Sequence, residues 1–140
     1  MRGARPRPVG ATMSGDDGER RVRLEVPAAS RFLRLVRLAA SGLASEQDFD
    51  IDAIEDLRVA VDEACAALLL RAPEGARLVL DLDVEDDTIV VRGRCAVEGT
   101  PSLHPVAADV LGLLADDFEL HAEDGEGRFR LRKRPLAAEV

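Results

Sequence analysis

Apolar residues change their period several times along this chain, and each change marks an element. Residues 21–26 read Arg-Val-Arg-Leu-Glu-Val, the period-2 alternation of a half-buried strand. Pro27-Ala-Ala-Ser30 then turns the chain, with Ser30 placed to cap a helix. From Arg31 to about Ala44 the spacing is helical. Phe32, Leu35, Val36, Ala39 and Leu43 fall at i, i+3, i+4, i+7 and i+11 and predict one buried stripe. A linker over 45–50 leads to a second helix over 51–70, with Asp50 as its cap. Ile51, Ile54, Leu57, Val61, Ala64, Cys65 and Leu68 form the side expected to be buried, and Pro73-Glu-Gly75 ends the helix. Residues 76–84 and 88–95 alternate on either side of Glu85-Asp86-Asp87, a hairpin pattern. Beyond an irregular stretch, 106–115 predicts a short helix. Residues 118–122 and 128–132 read as a last strand pair around a turn at 123–127.

The resulting order, β-α-α-β-β-α-β-β, segregates strands from helices and predicts an α/β sandwich with the helices on one sheet face. Residues 1–20 hold Arg, Pro, Gly and Asp with few large apolar side chains, the composition of a mobile leader. Met13 within it is a second candidate start. One domain is expected over 21–134 and a flexible tail over 135–140. No apolar run approaches the roughly 18 residues of a membrane span, and the first residues lack the pattern of a secretory signal. The chain therefore reads as cytoplasmic.

Composition narrows the partners. The net charge is −8 over 140 residues, and Lys133 is the sole lysine. An acidic chain without an overall basic stripe is poorly suited to nucleic-acid phosphates, so no direct nucleic-acid partner is expected. A basic protein partner fits this charge better; a plainly solvated acidic surface fits it as well. Against this background Arg31, Arg34 and Arg37 lie off the predicted stripe of the first helix. They read either as a solvated face or as a basic strip turned to a partner. Cys65 and Cys95 lack CxxC spacing and form neither a disulfide framework nor a zinc site. His104 and His121 have no partner at ligand spacing, and Asp124-Gly-Glu-Gly127 reads as turn chemistry.

The most informative segment is 56–70, Asp-Leu-Arg-Val-Ala-Val-Asp-Glu-Ala-Cys-Ala-Ala-Leu-Leu-Leu. It resembles the nucleotide-site helix of the GHKL (Bergerat-fold) ATPases. More narrowly, it resembles their anti-sigma factor and serine-kinase branch, including its mycobacterial-type sigma-F members. Val110-Leu-Gly-Leu-Leu-Ala-Asp-Asp-Phe118 and Gly125-Glu-Gly-Arg-Phe-Arg-Leu-Arg-Lys133 are similar to the family's later helix and its last strand. The resemblance covers roughly 21–133 and implies a two-layer α+β sandwich, its helices on one face of a mixed, mostly antiparallel sheet. In that family the helix carries a catalytic Glu followed four positions later by a magnesium-binding Asn. Here Glu63 stands in the first position and Ala67 in the second, and a methyl group cannot ligate Mg²⁺. The family's Asp-x-Gly-x-Gly box is replaced by Gly93-Arg-Cys-Ala-Val-Glu-Gly99, and the lid is cut to about ten residues that include Pro101 and Pro105.

The expectation that follows is an anti-sigma factor with little or no kinase chemistry. It would hold an alternative sigma factor and switch to a STAS-class anti-anti-sigma protein, and the resemblance also implies a homodimer. Glu63 is then a vestigial base, with no catalytic, cofactor-binding or metal-binding residue expected. No cofactor is expected either, beyond weak binding of ATP or ADP with magnesium. Two other readings stay open: an active serine kinase acting on a STAS protein, and a non-catalytic scaffold module.

Overall fold

The computed structural model describes residues 9–16 and 19–135, and the side chains of 12–20 are outside the description. Its elements are β1 (Gly10–Asp16), β2 (Glu19–Pro27), a 3-10 turn (Ser30–Phe32), α1 (Leu33–Glu46), α2 (Ile51–Leu69), β3 (Arg77–Glu85), β4 (Thr88–Ala96), α3 (Pro105–Leu114), β5 (Asp117–Glu123) and β6 (Glu126–Lys133). The strands form one six-stranded sheet in the order β1-β2-β3-β4-β6-β5. Every neighbouring pair is antiparallel, so the mixed sheet implied by the resemblance is antiparallel throughout the described residues. The result is a two-layer α+β sandwich, consistent with a GHKL-like fold.

Strand alternation sorts the side chains between the two faces. Leu24, Val26, Leu78, Leu80, Leu82, Ile89, Val91, Phe129 and Leu131 point to the helices and are buried. The other face carries charge: Arg21, Arg23, Asp81, Asp83, Arg92, Arg128 and Arg130 engage in cross-strand or along-strand ion pairs there. Helix α2 is the hub of the helical layer, packing against α1, α3, β4 and β6. Its Leu57, Ala60, Val61, Ala64, Cys65 and Leu68 are fully buried. At one end of that contact the chain's sole lysine, Lys133, lies 7% exposed with Nζ 3.5 Å from Asp56 of α2.

Local signals explain the boundaries. Asp50 accepts a hydrogen bond from the Ala53 amide at 2.8 Å and starts α2. Asp124 (φ 53°) and Gly125 (φ 78°) make the two-residue β5–β6 turn, where Asp-Gly suits a turn with both φ angles positive. His104 caps α3, its Nδ1 accepting from the Val106 amide at 3.1 Å, with Pro105 in the first turn.

Several expectations shift. Gly10–Asp16 is a strand paired with β2, within the stretch whose composition reads as a leader; residues 1–8, 17 and 18 and the tail at 136–140 lie outside the described residues. Ser30 opens the 3-10 turn and makes no side-chain cap; the extra turn rotates α1. The stripe it buries is Leu33, Val36, Ala40, Leu43 and Ala44, while Leu35 is exposed and Leu38 is 62% exposed. Ile51 is 83% exposed, because the inward row of α2 begins at Ala53.

Gly93 marks the tightest point of the sheet. It pairs across the ladder with Phe129, whose ring lies where a Cβ at Gly93 would be, the way an aromatic covers a strand glycine. Gly93→Ala is therefore expected to destabilise the fold by about 1–3 kcal/mol through overpacking, read as a lower urea midpoint at unchanged slope. A midpoint equal to that of the parent would contradict this packing.

Candidate functional site

Two surfaces of the helical layer carry the candidate residues. The first is the middle of α2. Glu63 is half-buried and makes no hydrogen bond or ion pair among the described residues. One turn on, Ala67 is 7% exposed and faces the core. The chain beyond β4 closes over this end of α2. Val97 is buried, its amide donating to the Gly125 carbonyl at 2.9 Å, and the Glu98 amide donates to the Arg71 carbonyl at 2.8 Å. Pro101 is buried, and Leu103 and the buried Leu111 of α3 pack against the core. Gly99 takes a positive φ of 80°, and a Cβ there would stand 3.1 Å from an Arg71 guanidinium nitrogen. Apolar side chains and a short backbone tether thus occupy the segment that would have to be a long phosphate-wrapping lid. Among the described residues no three His, Cys, Asp or Glu side chains converge in a metal-ligand arrangement.

The second surface is the outer side of α1. Arg31 lies over the Phe32 ring, 5.0 Å from its centroid, and Arg34 is exposed with no ion partner among the described residues. Arg37 behaves differently: it donates to Asp62 of α2 at 2.6 Å, and both side chains are little more than one-third exposed. The structure therefore turns Arg31 and Arg34 outward and ties Arg37 to the neighbouring helix. Beside the two free arginines, Leu35 (37%) and Leu38 (62%) are exposed. The sequence reading missed these leucines as surface residues. The available signal was that Leu33, Leu35, Val36 and Leu38 are too closely spaced to share one stripe.

Both cysteines are buried thiols. Burial pushes the Cys65 thiol far up, with Asp62 adding to it, and raises Cys95 to about 11, with Glu126 adding to it. The Cys95 S–H also donates to the Ala96 carbonyl at 3.3 Å. Both groups stay protonated near neutrality, and the thiolate is the reactive form. Because the folded values lie above the ordinary value of 9.0, their contribution to stability is complete below pH 9. It is lost as pH rises toward 11 and beyond. At pH 8 iodoacetamide is expected to label both thiols no faster than the protein unfolds. Rapid labelling of either thiol in the native protein would contradict their burial.

Comparison with known proteins gives the chain relatives. No protein-family model matches it. It is 36% identical over 104 residues to the anti-sigma-F factor RsbW of Mycobacterium tuberculosis (strain H37Rv), a match covering 73% of this chain and 62% of that protein. The serine-protein kinase RsbW of Halalkalibacterium halodurans is 35% identical over 71 residues, half of this chain and 44% of the relative. That of Bacillus subtilis is 43% identical over 44 residues, 31% of this chain and 28% of the relative. The chain thus spans under two thirds of the length of these relatives. It is a homologue of the RsbW proteins, whose names include both anti-sigma factors and serine-protein kinases.

Proposed function

We propose that this protein is a cytoplasmic anti-sigma factor that works by contact. It sequesters an alternative sigma factor and exchanges it for a STAS-class anti-anti-sigma protein, acting as a homodimer with little or no ATP chemistry. The observation that carries the reading is the similarity to the mycobacterial anti-sigma-F factor over most of the chain. Its non-catalytic half is supported by the donor set of α2 and its cover. A half-buried Glu63, a buried Ala67 methyl and the apolar Val97 and Pro101 are a poor fit to a magnesium ion, which takes near-octahedral oxygen ligands, or to a polyphosphate. Release then follows relative affinity and abundance of the two partners. The shielded thiols give a redox signal little to act on.

The outer side of α1 is the proposed contact, with Arg31 and Arg34 as its charged part and Leu35 and Leu38 as its apolar part. A mixed patch of this kind combines a desolvated centre with charges that select the partner. Arg37 serves α1–α2 packing instead. The double change Arg31→Glu, Arg34→Glu is expected to weaken sigma binding at least tenfold, measured by titration calorimetry, and to leave the unfolding midpoint nearly unchanged. Arg37→Glu is expected to lower that midpoint, since it sets a carboxylate against Asp62. Unchanged affinity in the double variant would remove this surface from the account.

The kinase named in several relatives keeps a second reading alive, resting on the retained Glu63. It requires transfer of labelled phosphate from ATP to a STAS protein, abolished by Glu63→Ala. On the contact reading no label is transferred.

A further inference from the structure

The open face of the sheet contains a local conflict that the packing does not require. The β4–β6 register sets Arg92 directly opposite Arg130 and Arg94 directly opposite Arg128. Directly opposed residues of an antiparallel pair hold their Cβ atoms about 4.5–5.5 Å apart, where like charges repel. Successive outward residues on one strand follow at about 7 Å. Four guanidinium-bearing side chains therefore share a two-by-two block on the β4–β6 pair of an acidic protein.

The neighbouring strands do not neutralise the block evenly. In one row Asp81 of β3 and Glu119 of β5 flank the Arg92–Arg130 pair. In the next row Val79 and His121 flank Arg94–Arg128, so that row has no carboxylate beside it on either strand. The existing ion pairs draw the guanidinium groups outward: Arg92 to Asp83 at 3.1 Å, Arg128 to Glu126 at 2.6 Å, and Arg130 to Asp117 at 3.0 Å and Glu119 at 3.2 Å. Arg94 has no ion partner among the described residues. Arg130 Nε is buried without a hydrogen-bond acceptor, a donor in want of one. Between these side chains lies a hollow of about 350 Å³, also lined by Asp81, Glu119 and His121, within the size range of small-ligand sites.

We propose that this hollow is a binding site for a phosphate-class dianion, as the free ion or as a phosphomonoester. A planar guanidinium is suited to hold two oxygens of such a group. Arg94 supplies donors without breaking an existing pair, and Arg128 faces Arg94 across the ladder. Asp81 and Glu119 limit the charge of the site, so the ligand is held by Arg94 in the row without a flanking carboxylate and not by bulk attraction. The site lies on the sheet face opposite the helices, so it is separate from both α2 and α1.

The test uses the full chain, amide-resolved NMR and matched ionic strength. Inorganic phosphate is expected to shift resonances at 92, 94, 128 and 130 saturably, and sodium chloride is not. Arg94→Gln is expected to weaken phosphate at least tenfold. Without phosphate this variant should be at least as stable as the parent, because it removes one of two opposed like charges. O-phosphoserine binding more tightly than phosphate assigns the ester as the natural ligand, and the reverse order assigns the free ion. Shifts no larger than those from chloride would overturn the site, as would a variant that binds phosphate like the parent.

Discussion

The fit of α2 between the sheet and the other helices is the contact on which the remaining structure depends. Its buried row is built largely of small side chains, Ala53, Ala60, Ala64, Cys65 and Ala67, with Leu57, Val61 and Leu68 as the larger members. Small residues let the helix sit close to β4 and β6, and the sheet answers with its own close approaches. Gly127 is packed so that a Cβ there would meet Leu68 of α2 and Val97. A core whose buried rings are Phe49 and Phe129, in a chain without Trp or Tyr, has few large rings with which to bury area, so it depends on close-packed aliphatic layers. The Lys133–Asp56 pair then closes one end of the contact. Removing Asp56 would leave the buried Lys133 ammonium without its carboxylate, which costs more than the pair itself contributes.

That geometry bears on the chemistry. Ala67 is both a missing oxygen ligand and part of this packed row. Val97, Leu103 and Leu111 likewise serve the core at the end of α2 where a nucleotide lid would have to stay mobile. Similar elements in one fold can thus hold either a mobile, glycine-containing lid or a short, packed connection. This chain has the second arrangement.

The sequence made much of the fold legible because its periods were unambiguous. Asp50 as a cap, the Asp124-Gly125 turn and the breaker at Pro73-Glu-Gly75 all sit at the element ends they predict. Helix α1 was less legible. Its apolar residues fit two overlapping stripes, and the 3-10 turn at Ser30–Phe32, which local propensity does not signal, selected the one starting at Leu33. Strand β1 was hidden for a different reason: an edge strand rich in Gly, Ser and Thr lacks the alternation that betrays a strand, and its place depends on pairing with β2. Of the candidate surface, the three arginines were visible as a helical repeat, but only the spatial neighbour Asp62 separates Arg37 from the other two. The opposed arginines of β4 and β6 were invisible in sequence, because register between strands some forty residues apart is a tertiary property.

The central claim is inhibition by contact, and transcription measures it most directly. Core RNA polymerase would be reconstituted with each alternative sigma factor of the host, and promoter-specific transcripts counted as the protein is added, with and without ATP analogues in place of hydrolysable ATP. The account predicts that one sigma factor loses activity at near-stoichiometric protein, identically under both nucleotide conditions. Full transcription from every sigma factor at excess folded protein, or inhibition that appears only with hydrolysable ATP, would contradict it.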